Sequence, residues 1–294
     1  MVRIEDKRSD KAAAFAQRMN RVLDFIDTHL PETEPLRLEA LASVAAFSPF
    51  HFHRIFRAWT GETLQDFIRH RRLEKAGGQL VHNPTTTIQT VAQHCGFTSA
   101  EAFSRAFSQH FGMNPSAWRA GGYRHWDPVQ GRARGDRPCA GLDVRMRCEP
   151  ARTVAYFRVV GDYRETAEAA WKQCLAWVTE HKLETQARFG MALDDPQITP
   201  PSRCRYDACV LLPEGWEPRG ERVSRKRIEG GLYACLAYSG APSGIGAAWL
   251  SMLGEWLPNS GHCLSEEPFV EVYAPHVVPN ADSVAVELCM PLSD

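Results

Sequence analysis

Hydrophobic positions follow different periods in the two parts of the chain. Between residues 20 and 119 apolar side chains recur at helical spacing with few β-branched runs, which predicts helices throughout. Beyond residue 142, strand-like runs appear. They span residues 143–148, 153–160, 206–212, 232–238, 268–273 and 284–290. The chain is therefore predicted to hold an all-α N-terminal domain followed by an α+β C-terminal domain.

Two helical stretches interrupt these strands. The first stripe contains Trp171 and the second contains Trp249 and Trp256, and such stripes usually pack a core. Stacking of these indoles and of Trp177 on a ligand is the alternative. The repeated order of strands and helix predicts a duplicated strand-helix-strand-strand unit.

The two domains are predicted to be joined by a polar segment. Residues 127–141 contain glycine, proline and three arginines but no apolar period. We assign residues 18–122 to the first domain, 123–141 to the linker and 142–294 to the second domain. At 294 residues the chain is long enough for two domains.

The helical part contains an internal repeat. Phe52, Arg54, Phe56 and Gly61 recur as a second set at a constant offset of 51 residues. The second set is Phe103, Arg105, Phe107 and Gly112. Two matched copies argue against a plain helical bundle whose arginines only face solvent.

Each copy follows the pattern of a helix-turn-helix. Gly96 is suited to the tight turn of the second copy, where the first copy has Ala46. Ser48 and Thr98 are predicted to cap the next helix. In that helix the two phenylalanines lie four residues apart and share the core face, so the arginine between them points elsewhere.

Charge divides along the same boundary. Residues 1–126 hold 16 basic and 12 acidic side chains, whereas residues 142–294 hold 15 basic and 21 acidic ones. A basic first part beside an acidic second part suggests that only the first meets a polyanion. The chain has no run of 18 apolar residues, no signal-like N-terminus and no zinc-spaced cysteines. A cytoplasmic protein without membrane contact, metal or cofactor is expected.

The first part resembles the AraC/XylS family of regulators. The resemblance covers about residues 20–120 and is carried by both copies, the joining helix 64–80, and the segments Phe111-Gly112-Met113-Asn114-Pro115 and Trp118-Arg119. It implies that the third and sixth helices enter successive major grooves of double-stranded DNA. The DNA-binding candidates are Phe50, His53, Arg54, Arg57, Ala100, Glu101, Ser104 and Arg105. Arg57 is a phosphate candidate, and Glu101 reads cytosine or only faces solvent.

The second part contains several short stretches in a characteristic order. They include Gly161-Asp162-Tyr163, Gly230-Gly231-Leu232-Tyr233 and Phe269-Val270-Glu271-Val272-Tyr273. In these stretches it resembles the GyrI-like small-molecule-binding domain. The resemblance implies helices on one sheet face and a concave cleft on the other. Asp194-Asp195-Pro196 is interpreted as a turn rather than a carboxylate pair.

Alternation along the last stretch predicts a ligand anchor. Phe269, Glu271 and Tyr273 share one strand face, and the two valines take the other, which we expect the helices to cover. Glu271 would then bind a cationic or amphiphilic effector on the open face. The further effector candidates are Trp249 and Tyr163.

The sequence therefore predicts an effector-controlled transcription regulator, with RNA polymerase as a further partner. Two alternatives remain for the second domain. It could be a small-molecule hydrolase in which Glu271 and Tyr273 perform acid/base chemistry, although no catalytic nucleophile set is evident. It could also be an inhibitor module that docks on a large enzyme.

Overall fold

The computed structural model describes residues 2–126, 142–196, 198–216, 223–265, 267–275, 277 and 282–293. Its residues divide into two compact units, the first of which contains residues 2–126 together with Val223 and Ser224. Of the predicted linker, 123–141, residues 127–141 lie outside the described residues. No described helix is both long and apolar enough to cross a bilayer.

The first unit is helical, as its periodicity predicts. Its helices are α1 (Val2–Thr28), α2 (Leu38–Val44), α3 (Pro49–Thr60), α4 (Leu64–His82), α5 (Ile88–His94), α6 (Ala100–Phe111) and α7 (Pro115–Arg119). A short 3₁₀ turn, Gly122–His125, follows α7. The joining helix α4 begins where it is predicted to begin and continues to His82, where the chain turns at Asn83.

Paired phenylalanines form the centre of each helix-turn-helix. Phe52 and Phe56 are fully buried on α3 with ring centroids 5.6 Å apart. Phe103 and Phe107 are fully buried on α6, and their ring centroids are 5.3 Å apart. Burial of a phenylalanine side chain stabilises the fold by about 1.5–3 kcal/mol, so this spacing fixes which side of each helix faces inward.

The second unit is an α+β structure. Its strands are β1 (Val144–Glu149), β2 (Arg152–Val160), β3 (Arg188–Ala192), β4 (Arg205–Leu211), β5 (Ser224–Ile228), β6 (Gly231–Gly240), β7 (Cys263–Leu264), β8 (Val270–Tyr273) and β9 (Val284–Ser293). Its helices are α8 (Tyr163–Glu180), α9 (Ile245–Ser251) and α10 (Leu257–Ser260).

Across the described residues these strands form one sheet in the order β1-β6-β9-β8-β3-β4-β2-β5, with β7 paired to β9. The repeat is visible in this order. One half contains β2, α8, β3 and β4, and the other contains β6, α9, β8 and β9. The strand that precedes each half pairs with the other half, because β1 lies beside β6 and β5 lies beside β2. The predicted duplication is therefore confirmed.

The sequence missed the strands β3, β5 and β7. β3 contains an arginine at its start and a glycine at its centre, and β5 reads Ser-Arg-Lys-Arg-Ile, so neither has the expected apolar alternation. β7 has only two residues. Pairing with neighbouring strands, rather than local propensity, therefore determines these strands.

The second helical stripe is not one regular α-helix. Between α9 and α10 the backbone forms a π-helical segment, Met252–Trp256. The extra residue per turn shifts the stripe, so that Met252 and Leu257 are buried while Trp249 and Trp256 are half-buried. Sequence periodicity at 3.6 residues per turn could not predict this change.

Candidate DNA interface and effector site

The first helix-turn-helix is closed by a residue in the left-handed region. Ala46 has a φ of 52° in the turn between α2 and α3. Ser48 then caps α3 by accepting a hydrogen bond from the backbone nitrogen of His51. Gly61 ends α3 with a φ of 82°. The predicted cap and closing glycine of this copy are confirmed.

The second copy repeats this geometry with one correction. Gly96 has a φ of 76° in the turn, and Gly112 ends α6 with a φ of 70°. The N-cap of α6 is Ser99, which accepts from the backbone nitrogen of Ala102 at 3.1 Å, so the prediction of Thr98 was wrong. Both residues are good caps by type, and the extra residue in this turn moves the start of the helix by one position.

Three of the predicted DNA-contacting side chains of α3 lie on its exposed side. His53, Arg54 and Arg57 are exposed and line a shallow depression. Phe50 occupies the first turn of the same helix. Because the buried phenylalanines fix the inward side, these three polar side chains remain available to a ligand that meets the outer face.

On α6 the exposed pair is Glu101 and Arg105, with Ala100 and Ser104 half-buried beside them. The pKa of the Glu101 carboxyl is lowered, first by hydrogen bonding to its own backbone and to Ser99, and further by the positive charge of Arg105. Glu101 thus remains ionised and lies one helical turn from an arginine.

Two arginines of the joining helix serve the fold. Arg72 donates from Nε to the carbonyl of Leu30 at 2.8 Å and from a second nitrogen to Glu32. Arg71 pairs with Asp27 and with the buried Glu74. These contacts tie α4 to the end of α1, so we do not assign either arginine to DNA.

In the second unit, register confirms which residues of β8 share a face. Glu271 lies opposite Gly190 of β3 and Val272 lies opposite Phe189. Val270 belongs to a buried cluster that includes Phe189, Cys209 and Cys289. Alternation of side chains therefore places Glu271 and Tyr273 on the opposite face from the two valines.

The expectation about which face carries the helices was wrong. The ring of Trp171 on α8 packs edge-on against Tyr273 with ring centroids 5.2 Å apart. The ring of Trp249 on α9 stacks on Phe269 with ring centroids 4.9 Å apart. Glu271 therefore lies on the helix-covered face. Val270 is buried and Val272 is half-buried against other sheet residues on the opposite face, so apolar character did not distinguish the two faces.

A ring of aromatic side chains surrounds the Glu271 carboxylate. Its Oε2 accepts hydrogen bonds from the hydroxyls of Tyr206 at 2.8 Å and Tyr273 at 2.9 Å. The nearby Trp249 side chain also lowers the pKa of this carboxyl. Trp171 donates from Nε1 to the Tyr206 hydroxyl at 3.1 Å. The glutamate is 6% exposed, which excludes a simple surface strand.

Burial controls the ionisation of this cluster. The pKa of the Glu271 carboxyl is raised because burial disfavours the charged form, and the hydrogen bonds only partly compensate. The pKa values of the Tyr206 and Tyr273 hydroxyls are also raised, first by burial and then by the charge of Glu271. Both phenols therefore stay protonated and act as donors.

Gly190 makes room for this arrangement. A Cβ at this position would overlap the Tyr206 hydroxyl and the Glu271 carboxylate. Sequence reasoning missed Gly190, Tyr206 and the role of Trp171 because they come from other elements. A glycine inside a strand is the signal that could have indicated a close approach.

Tyr163 lies at the edge of the site. Its hydroxyl donates to the carbonyl of Asp194 at 2.7 Å, and its ring is 5.9 Å from that of Tyr206. The Asp194 carboxylate accepts two side-chain hydrogen bonds from Arg205, each 2.9 Å long. The segment 194–196 is thus a turn held by an ion pair, and Tyr163 positions it.

Comparison with known proteins agrees with both resemblances. A helix-turn-helix domain model matches residues 41–121, and the model of the GyrI-like small molecule binding domain matches residues 142–293. The chain is 34% identical over 98 residues to regulatory protein SoxS of Escherichia coli K12, covering 33% of this chain and 89% of SoxS.

Two further similarities concern different parts of the chain. A DNA gyrase inhibitor of Escherichia fergusonii is 28% identical over 134 residues, covering 45% of this chain and 86% of the inhibitor. The crystal structure of the DNA-binding domain of AdpA with a target DNA is 31% identical, covers 39% of this chain and 99% of that chain, and superposes with a TM-score of 0.34.

Together, the paired helix-turn-helix units and the matched domain models define the class: an AraC-type DNA-binding transcription regulator with a small-molecule-binding domain. The GyrI-like model covers more than half of the sequence. The chain belongs to the GyrI-like family.

Proposed function

We propose that this regulator responds to a cationic or amphiphilic small molecule held at Glu271. The observation that carries the proposal is a buried carboxylate that accepts hydrogen bonds from two phenols, within an aromatic ring of side chains. A cation replaces the lost hydration of such a carboxylate by direct Coulomb attraction, and the ring faces add cation–π contact.

Entry of an effector requires movement of the aromatic cover. Trp249 stacks on Phe269 and is close enough to Glu271 to lower its pKa, so we infer that both rings cover the path to the carboxylate. Trp249 lies on a helix that continues directly into a π-helical segment, a backbone form common at functional sites. We infer that displacement of Trp249 is the first consequence of binding, with Tyr163 at the margin of the opened site.

For DNA, we propose that Arg54 and Arg105 contact base edges and that Arg57 contacts a phosphate. Support comes from their exposure on α3 and α6, the two helices whose inward sides are filled by phenylalanine. Arginine bonds guanine through two parallel hydrogen bonds in the major groove. Phe50, His53, Ala100, Glu101 and Ser104 flank these arginines, and RNA polymerase is a candidate protein partner of the bound regulator.

A binding role is favoured over hydrolysis for the second domain. Among the described residues, the hydrogen bonds to Glu271 come from the phenols of Tyr206 and Tyr273, and neither group is an activated nucleophile. The Tyr273 hydroxyl has a raised pKa, which suits a donor rather than a base. We therefore assign no enzymatic step to this site.

Titration calorimetry on the full-length protein tests the effector proposal. The probes are benzyltrimethylammonium and its neutral carbon isostere neopentylbenzene. The cation should bind the wild type, and Glu271→Gln should weaken that binding by about tenfold or more, which is 1.4 kcal/mol, while changing the neutral probe little. Bound cation should also change the affinity for operator DNA.

The matched control is Glu168→Gln, which removes one negative charge from an exposed position on α8. It should leave both affinities unchanged. Equal cation affinities for wild type and Glu271→Gln would reject Glu271 as the anchor. A wild type that binds neither probe would reject the cationic effector class.

A further inference from the structure

Two cysteines face each other across the centre of the sheet. Cys235 of β6 and Cys289 of β9 are direct register partners, and their Sγ atoms lie 3.1 Å apart. Both are buried thiols. No step of DNA or effector binding derived above uses this pair.

The backbone register suits a covalent bond between them. The carbonyl of Pro291 accepts a hydrogen bond from Ser265, on the side of β9 that faces away from β6. Along a strand, the backbone N–H and C=O groups of successive residues point alternately to the two sides. Cys289 lies two residues before Pro291, so its backbone N–H and C=O groups also point away from β6. Cys235 and Cys289 are therefore a non-hydrogen-bonded pair. The Cα separation of such pairs is about 4.5 Å, inside the range of disulfides, about 4.4–6.8 Å.

A cation lies beside one of the two sulfurs. Arg147 of the edge strand β1 pairs with Glu287 of β9, and its positive charge acts on the Cys235 thiol. The pKa of the Cys235 thiol is lowered, first by its hydrogen bond with Cys289 and further by Arg147, against burial and the charge of Glu287. The pKa of Cys289 is raised, first by its hydrogen bond with Cys235 and then by burial. The charge of Arg147 therefore favours Cys235 as the sulfur that reacts first.

We propose that Cys235 and Cys289 form an oxidisable dithiol that hydrogen peroxide converts to a reversible intramolecular disulfide. The Cys235 thiolate attacks one peroxide oxygen and the O–O bond breaks. The leaving hydroxide takes up the proton that Cys235 released on ionising, which gives water, and Cys235 becomes a sulfenic acid. The Cys289 sulfur then attacks the Cys235 sulfur, the S–O bond breaks, and the hydroxyl leaves with the Cys289 proton as a second water.

Access to the pair is through the edge of the sheet. β1 is a terminal strand whose four central side chains are exposed, and Arg145 of β1 lies opposite Cys235. Local opening of such a strand costs less than global unfolding and uncovers β6. On the other side of β9, Cys289 lies opposite Val270, the neighbour of Glu271. The bond would therefore fix the strand that supports β8.

Peptide mapping of the full-length protein tests the proposal. Native protein is treated with hydrogen peroxide, alkylated and digested without reductant. Chymotrypsin is needed, because no lysine or arginine follows Arg227 and trypsin would leave both cysteines in one peptide. We expect a species that joins the Cys235 and Cys289 peptides, lacks two hydrogen atoms, and disappears on treatment with dithiothreitol.

Thermal unfolding gives a second readout, because a cross-link restricts the unfolded chain and should raise the midpoint of the oxidised protein. Cys235→Ala and Cys289→Ala should each abolish the rise. The matched control Cys263→Ala, which removes a half-buried thiol of β7, should keep it. Absence of the Cys235–Cys289 species, its formation only in denatured protein, or preferential linkage to Cys263 would overturn the proposal.

Discussion

The hydroxyl of Tyr206 lies 2.8 Å from the carboxylate of Glu271, which follows it by 65 positions in the sequence. The contact joins β4 to β8 across β3, in the middle of the sheet. It stabilises the ionised form of a carboxyl whose pKa is nonetheless raised by burial. The two opposing effects lead to a prediction about pH.

Because the folded pKa of Glu271 exceeds its unfolded value, the folded state binds more protons between those two values. The stability that Glu271 contributes is fully present below the unfolded pKa and is lost as the pH rises through the folded pKa. Glu271→Gln should remove this decline, and Tyr206→Phe should extend it to higher pH. Urea unfolding at a series of pH values between 4 and 8 measures how the free energy of unfolding changes with pH. Glu168→Gln should keep the wild-type profile, and an identical profile for Glu271→Gln would contradict the assignment.

Gly190 should tolerate no side chain. In Gly190→Ala the new methyl group would overlap Tyr206 and Glu271, which predicts a loss of about 1–3 kcal/mol in the free energy of unfolding. The comparison is Gly246→Ala on α9, where the space is open and alanine should stabilise the helix by about 0.5–1 kcal/mol. Denaturant titration measures the free energy of unfolding of both variants. A gain in Gly190→Ala, like the gain expected for Gly246→Ala, would contradict the close approach at Gly190.

A buried ion triad on the opposite face of the sheet predicts acid sensitivity. Asp207 pairs with Arg158 and with Lys226, at 2.7 and 2.6 Å, and burial of the triad is nearly complete. Burial opposes ionisation, yet the two cations lower the pKa of Asp207 to about 2. Its contribution to stability is therefore present above the unfolded value of 3.8 and is lost as the pH falls through about 2.

Asp207→Asn leaves two buried cations without their counter-ion, so we expect a loss of about 3–5 kcal/mol near neutral pH. The matched control is Asp143→Asn, which breaks an exposed pair with Arg145 and should cost less than about 1 kcal/mol. Chemical denaturation at pH 7 separates the two. Equal small losses would show that the triad contributes nothing to stability.

The two turn positions of the helix-turn-helix units should respond in opposite directions. Ala46 is a non-glycine residue in the left-handed region, so Ala46→Gly should stabilise the protein by about 1 kcal/mol. Gly96→Ala should destabilise it by more than that, because its Cβ would lie 2.7 Å from the carbonyl oxygen of Leu30. Urea titration measures both, and a gain in Gly96→Ala would contradict the geometry.

DNA recognition should depend on both exposed helices. Arg54→Ala and Arg105→Ala should each weaken specific binding by about 1–3 kcal/mol, and Arg57→Ala should lower the salt slope by about one unit. Fluorescence anisotropy at several salt concentrations measures these effects. Arg164→Ala, an exposed arginine on α8, is the control. Unchanged affinity and preference in both Arg54→Ala and Arg105→Ala would reject base reading by these arginines.

The sequence by itself determined the features that depend on local spacing. The pairs of phenylalanines four residues apart fixed the inward sides of α3 and α6, and alternation along β8 placed Glu271 with Tyr273. The cap at Ser48 and the closing glycines follow from backbone preferences of single residues. These features need no knowledge of distant neighbours.

Only the tertiary structure decided which face of the sheet the helices cover. A period of two tells which residues share a face, but both faces here are buried, so Val270 and Glu271 lie in equally enclosed surroundings. Tyr206 and Gly190 reach the site through strand register, which pairs residues far apart in the sequence. The contact between Cys235 and Cys289 has the same origin, since pairing of β6 with β9 depends on the packing of the whole sheet.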